Sequence, residues 1–153
     1  MKYLLDTNIF QPILNYYYND VFISFWNKFD EMVKNDNIIS VKEVYKELSN
    51  SPKKEFLKNY KNIFLEPNND EIEMIKEMLK NPNFINEKSK NKLNSGQPYA
   101  DLYIIAKAKF ENCTVVTDET FVKNAPKIPT ICKHYNIECI NMHNFIRSIN
   151  IKL

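Results

Sequence analysis

The stretch Lys2-Tyr3-Leu4-Leu5-Asp6-Thr7-Asn8 decides the reading of the fold. A short apolar run stopped by polar residues fits a buried strand, and the end of that strand delivers Asp6 into a loop. The pattern returns at Cys113-Thr114-Val115-Val116-Thr117, again followed by acids, Asp118 and Glu119. Ile38-Ile39-Ser40 and Ile137-Glu138-Cys139-Ile140 read as two further strands, and Ile63-Phe64-Leu65 as a brief extended piece. Helical patterns lie between them. Val21 to Lys34 carries Phe22, Phe25, Trp26, Phe29, Met32 and Val33 at helical spacing, an aromatic face for the core. Tyr99 to Ala108 is apolar on most sides, which predicts a deeply packed helix with Asp101 on the face of Ile104, Ile105 and Ala108. Strands apolar on both faces and alternating with helices indicate an α/β domain around a short parallel sheet. In such sheets the ligand crevice lies at the carboxyl ends of the strands, where Asp6 and the Asp118/Glu119 pair sit.

Local signals set the expected boundaries. Pro12 allows a helical start. Ser40 is placed to cap the next helix near Val41, with Glu43 completing a capping box and Glu47 on the border of the face formed by Val41, Val44, Tyr45 and Leu48. Ser51-Pro52 opens another charged helix, Asn69-Asp70 caps one running to about Lys80, and Met142 to Ile149 closes the chain. Residues 81–97, polar and broken by Pro82, Ser95 and Gly96, read as the longest and most mobile loop.

Composition narrows the function classes. At 153 residues with 44% hydrophobic side chains, the chain supports one core and one domain spanning residues 1–153, and wholesale disorder is excluded. The balance of 21 Lys+Arg against 19 Asp+Glu is far from the strongly basic kind that alone announces nucleic-acid binding. Gly96 is the single glycine, so phosphate-cradling loops and the Gly-x-Ser-x-Gly elbow are excluded. Cys113, Cys132 and Cys139 lack CxxC spacing, and with only His134 and His143 beside them a zinc site or disulfide framework is not expected. No apolar run approaches the roughly 18 residues of a membrane helix, and no leader pattern opens the chain, so a soluble, cytoplasmic protein is expected.

The acids carry the chemistry. Four distant segments each place one at a strand end or at the border of a buried helix face: Asp6, Glu47, Asp101, and Asp118 or Glu119. An aspartate on a packed face needs a counter-charge, hydrogen bonds or protonation, and for Asp101 the first turn of its own helix could also satisfy it. If the four converge, repulsion forces protonation unless a divalent cation compensates, and oxygen-only ligands select Mg²⁺ or Mn²⁺.

Leu4-Leu5-Asp6-Thr7-Asn8, then Ser40-Val41-x-x-Val44-x-x-Glu47-Leu48, then Ala100-Asp101-x-x-Ile104-Ile105-Ala106, then Val115-Val116-Thr117-x-Glu119 resemble, in order, the four motifs of the PIN domain nucleases. The last third, Lys127-Ile128-Pro129-x-x-Cys132 with Ile137-x-Cys139-Ile140-Asn141, is similar to a branch of PIN-like proteins related to toxin ribonucleases. The resemblance implies a three-layer PIN-like fold, with Asp6, Glu47 and Asp101 at the metal-facing positions. Glu119 matches the fourth acid, and Asp118 remains its alternative as a metal ligand. Thr117 matches the hydroxyl that orients a water or carboxylate and Asn8 a supporting partner, while turn chemistry accounts equally for both. The implied activity is a Mg²⁺-dependent endoribonuclease that hydrolyses single-stranded RNA, with Asp101 or Glu119 placing the attacking water. It further implies a toxin held by a small antitoxin protein, and pairing of the chain with itself is a further expectation.

An alternative of another class is a catalytically inactive PIN-like module that binds RNA or protein. Setting aside four metal-bound acids leaves 21 cationic against 15 anionic residues, or +6, a basic surface around an acidic pit. Lys42, Lys46, Lys123, Lys127 and Lys133 are candidate phosphate contacts, and Tyr16-Tyr17-Tyr18 is either a base-stacking platform or partly buried under the aromatic helix.

Overall fold

The computed structural model describes residues 1–150, and its centre is a five-stranded parallel sheet. The strands are β1 (Tyr3–Leu5), β2 (Ile38–Val41), β3 (Phe64–Leu65), β4 (Thr114–Val116) and β5 (Cys139–Ile140), side by side in the order β3-β2-β1-β4-β5. β1, β2 and β4 are buried along their whole length, as mainly apolar runs require of strands covered on both faces. The chain builds from β1 out to β3, then returns to the other side of β1 for β4 and β5. The reversal therefore falls between β1 and β4, where Leu5 is in register with Val116. Beyond their carboxyl ends such a reversal opens a crevice.

Helices α1 (Thr7–Tyr16), α2 (Ile23–Lys34), α3 (Lys42–Glu47), α4 (Lys54–Leu57), α5 (Asn69–Met78), α6 (Glu87–Asn94), α7 (Asp101–Glu111), α8 (Ile128–His134) and α9 (Met142–Ser148) flank the sheet. α7 is the most enclosed, burying Leu102, Ile104, Ile105, Ala106, Lys107 and Ala108, and it ends at Asn112 in the left-handed region (φ 54°). The aromatic face of α2 packs as expected: Trp26 meets Phe56 edge-on at 5.1 Å between ring centroids, and Phe29 meets Tyr60 at 5.3 Å. Pairs of this geometry each add about 0.5–1.5 kcal/mol beyond area burial.

Several boundaries differ from the sequence reading, each for a local reason. α1 starts at Thr7, capped by Asp6, and contains Pro12 in its interior. The burial of Ile9, Phe10, Ile13 and Leu14 outweighs the single backbone hydrogen bond that a proline forfeits there. Ser40 does not cap α3. It lies in β2, and its hydroxyl donates to the Leu5 carbonyl at 2.7 Å, bonding the end of β2 to the end of β1. The cap position is Val41, without a side-chain bond, so the Ser40/Glu43 box is not formed. A capping box exists instead at Asn68 and Glu71, one residue before the expected start of α5. Residues 81–97 are not all loop. Asn86 accepts the Ser89 N–H at 2.9 Å and starts α6, a helix with no buried residue and hence no apolar period to read. α8 has only Ile128, Ile131 and Cys132 buried, too short a stripe to stand out in sequence.

α5 and α7 are joined by a buried ion pair. Lys107 Nζ lies 3.0 Å from Glu71 Oε2, with the two side chains 5% and 1% exposed, and it also donates to the Glu66 carbonyl at 2.8 Å. Removing one member of such a pair strands the other charge. Lys107→Met is therefore expected to lower stability by about 3–5 kcal/mol, and Lys107→Met with Glu71→Leu to recover most of that loss, as read by urea denaturation. Equal stability of the single and double variants would overturn this account.

Candidate active site

β1 and β4 stop together, and the residues immediately after each enter the same crevice. Asp6 comes directly after β1, and its Oδ1 accepts the Thr7 N–H at 2.7 Å. Thr117 comes directly after β4, is fully buried, and donates its hydroxyl proton to Asp6 Oδ2 at 2.8 Å. The hydroxyl oxygen in turn accepts from Asn8 Nδ2 at 3.2 Å and from the Glu119 N–H at 3.2 Å. A hydroxyl has one proton, so these two donors commit it to Asp6. Glu47, the last residue of α3, arrives from the β2 side. Its Oε1 accepts from the Thr7 hydroxyl and its Oε2 from the Ala100 N–H at 3.3 Å. Asp101 is the first residue of α7, and Glu119 lies two residues past Thr117 with its Oε2 accepting the Ile128 N–H at 2.8 Å.

The electrostatics show that these acids share one field. Burial raises the Asp6 carboxyl to about 7 despite the opposing hydrogen bonds from Thr117 and Thr7, and Glu119 and Glu47 raise it further. Asp101 is held well above the ordinary carboxylate range, first by burial and then by Glu119, Asp6 and Glu47, with Lys92 opposing. Glu47 is raised by burial, against Thr7, Ala100 and Lys92. The structure thus brings Asp6, Glu47, Asp101 and Glu119 together, with Thr117 and Asn8 behind them. Asp118 stands apart: it is exposed, its Oδ1 accepts the Met142 N–H at 2.9 Å, and its own N–H donates to Asn8 Oδ1 at 3.1 Å.

As a donor set for a hard dication, four carboxylates are chemically apt. Their arrangement is open. Among the described residues no three acids, histidines or cysteines surround a point closely enough to hold an ion as they stand. Glu47 and Glu119, like Asp6, are engaged by N–H or O–H groups of the chain itself.

The expected phosphate contacts are dispersed. Lys46 is paired with Glu43 at 2.8 Å, Lys42 lies over the Tyr45 ring and Lys133 over Phe121, while Lys123 and Lys127 are exposed near the start of α8. Of the tyrosine triplet, Tyr17 packs on Phe22 and Phe25, whereas Tyr16 and Tyr18 are exposed. Beside Glu47 a groove of about 490 Å³ is lined by Gln11, Asn15, Tyr16, Glu47 and Asn50. Sequence reasoning missed Thr7, whose hydroxyl holds Glu47, and Lys92, the cation that opposes the rise of the Glu47 and Asp101 carboxyls. Thr7 stood in plain view beside Asp6, but its partner is 40 residues away. The three cysteines are free thiols.

Residues 3–153 match a family described as a domain of unknown function, DUF4411. No curated protein matches the chain. Among solved structures, the chain is similar to one in the crystal structure of VapBC2 from Rickettsia felis bound to a DNA fragment from their promoter. That likeness has 22% identity and a TM-score of 0.52, over 92% of this chain and 98% of that one. It is also similar to a chain in the 2.2 Å structure of VapBC-1 from nontypeable Haemophilus influenzae, at 16% identity and a TM-score of 0.49, over 91% and 96% of the two chains. The fold is PIN-like, an α/β parallel sheet flanked by helices.

The raised carboxyls fix the sign of a pH dependence. Asp6 keeps its proton up to about 7 when folded and only to about 3.8 when unfolded. Between those values the folded state binds more protons, so this contribution is full at low pH and is lost as pH rises through 7. Asp101 acts in the same direction. The metal-free chain is therefore expected to melt at a lower temperature at about pH 8 than at about pH 5, and Asp6→Asn to flatten this dependence and stabilise the chain at the higher pH by up to about 4 kcal/mol. Melting curves in EDTA across this range read it, and a melting temperature that climbs with pH in the parent chain would contradict the assignment.

Proposed function

The chain belongs to the family described as a domain of unknown function, DUF4411, with a PIN-like fold, and from that premise we propose that it is a metal-dependent endoribonuclease acting on single-stranded RNA. The observation that carries this reading is the meeting of Asp6, Glu47, Asp101 and Glu119, from four separate segments, at the point where the strand order reverses. Scattered structural acids have no reason to gather where each raises the proton affinity of the next. A fixed cation gives them one, and their oxygen-only donors favour Mg²⁺ or Mn²⁺.

Asp6, Asp101, Glu47 and Glu119 would hold the ion. When bound, it supplies Lewis acidity toward a phosphodiester oxygen and a water acidified toward neutral pH. The remaining roles belong to the chain. Thr117, its proton fixed on Asp6 by Asn8 and the Glu119 N–H, sets the orientation of the Asp6 carboxylate. Thr7 and the Ala100 N–H hold Glu47 ready at the rim. Asp101 or Glu119 orients the attacking water. Surface charge favours an anionic substrate, because four liganded acids leave +6 on the rest of the protein. Exposed Tyr16, in the groove beside Glu47, is suited to stack on a base. Tyr18, Val21 and Ile23 form an exposed apolar stretch between α1 and α2, suited to a small antitoxin protein or a second copy of the chain. The likeness to a chain in the VapBC2 structure supports the antitoxin as partner.

Purified chain is expected to cleave a labelled single-stranded oligoribonucleotide with Mg²⁺ or Mn²⁺ and to lose cleavage in EDTA. Asp6→Asn and Asp101→Asn are expected to abolish it with the circular dichroism spectrum unchanged, and Thr117→Val to lower it by about 10–100-fold. Cleavage indifferent to EDTA would refute the metal mechanism. Binding of RNA or protein without cleavage in either metal would establish the inactive module instead.

In a separate measurement, saturating Mn²⁺ at about 100 times its dissociation constant is expected to stabilise the folded chain by about 2.7 kcal/mol, and to do nothing for Asp6→Asn.

A further inference from the structure

α6 is the most polar helix of the molecule, and its burial is confined to one side. Ser89, Lys92 and Leu93 are half-buried, while Glu87, Lys88, Lys90, Asn91 and Asn94 are exposed. Spacings of three and four put Ser89, Lys92 and Leu93 on a single stripe that faces the body of the protein. Leu93 packs against the core. Ser89 neighbours Tyr99, a buried residue two positions before Asp101, and opposes the rise that burial gives the Tyr99 phenol. Leu93 anchors this stripe, and Lys92 is held on it one residue away.

Lys92 lacks the same-helix glutamate partner that four other helical lysines have. Lys46, Lys58, Lys76 and Lys90 each pair with a glutamate three residues earlier in the chain. The positions three and four before Lys92 hold Ser89 and Lys88, so its own helix offers no partner. Among the described residues its ammonium makes no ion pair at contact distance. The acids it acts on are Glu47 and Asp101, across the crevice. A half-buried cation at the rim of an anionic pit, fixed by its neighbours yet lacking a contact partner, retains its donors for an incoming anion.

We propose that Lys92 is a substrate-binding residue that receives an RNA phosphate next to the bond to be cut, presented from the half-buried stripe of α6 that Leu93 anchors on the core. The inference rests on the nuclease reading and adds to it the residue that draws the polyanion toward a cluster of acids that would otherwise repel it. The Lys92 ammonium, without an ion-pair partner among the described residues, is a point charge on a flexible stem, suited to a phosphate oxygen.

The test separates binding from cleavage. Full-length Asp101→Asn protein in EDTA is titrated with a fluorescein-labelled single-stranded oligoribonucleotide and read by anisotropy at several salt concentrations. Adding Lys92→Gln is expected to weaken binding about five-fold at 0.1 M salt and to flatten the log-log salt slope by about 0.7, the loss of one phosphate contact. Lys92→Arg is expected to retain affinity and slope, and Lys76→Gln, an exposed lysine on α5, to match the parent. In the otherwise wild-type chain with Mg²⁺, Lys92→Gln is expected to raise KM more than it lowers kcat. If the parent binds RNA and Lys92→Gln binds it with the same affinity and slope, the assignment of Lys92 is wrong and the nuclease reading stands. If the parent binds no RNA at any salt concentration, the choice of substrate fails, and the assignment with it. Lost helicity in both Lys92 variants would make the residue a structural support of α6 and overturn the proposal.

Discussion

Carboxylates forced into proximity are the constraint on which the rest of this structure depends. Bringing Asp6 and Thr117 to adjacent strand ends, with Glu47 and Asp101 on helices that open into the same crevice, concentrates negative charge where water is scarce. Desolvation is the largest cause lifting the Asp6 carboxyl to about 7, and the neighbouring acids add to the effect. The surroundings answer with uncharged donors: the Thr7, Ala100 and Ile128 N–H groups, and the Thr7 and Thr117 hydroxyls. These donors orient the carboxylates but do not cancel their charge, and the remaining imbalance gives the site its appetite for a cation.

The fold serves this arrangement by making the crevice rigid. Ser40 bonds the end of β2 to Leu5, one residue before Asp6, and the Asp6 N–H continues the sheet by donating to the Val116 carbonyl at 3.0 Å. The two sides of the crevice therefore cannot part without breaking backbone pairing. Behind it, α7 is pinned by the Lys107–Glu71 pair, which holds the helix that carries Asp101 against α5. Glu71 also closes the capping box of α5, so one buried carboxylate ties a helix start, a neighbouring helix and the Glu66 turn together through Lys107. The two glutamates are less firmly fixed. Glu119 caps α8 and Glu47 ends a six-residue helix, and both are glutamates, whose longer side chains can turn toward a ligand without moving the backbone.

Much of the fold is legible in the chain because strand and helix signals here come from burial. Short, mainly apolar runs mark β1, β2 and β4, and the aromatic spacing of α2 is that of a helix with a packed face. Legibility ends where burial is absent or where a side chain has two uses. α6 buries nothing completely, so no period announces it. Ser40 has the chemistry of a cap, yet a strand-end serine can equally reach a neighbouring carbonyl, and only the sheet order decides between them. Pro12 reads as a helix start because local sequence does not reveal that an apolar stripe on both sides of it will be buried.

The sequence by itself determined which residues could carry the chemistry: an acid at each of two strand ends, one on the border of an amphipathic helix and one on a packed helix face, with a single glycine ruling out phosphate loops. Those are properties of local pattern, and local pattern is written in the chain. The tertiary structure alone decided that β1 and β4 are neighbours, that Glu119 joins the cluster while Asp118 turns away to the start of α9, and that Thr7 and Lys92 belong to the crevice. Each of these depends on groups far apart in sequence approaching one another in space, and the distance between such groups is fixed by how the sheet orders its strands, which no local pattern encodes.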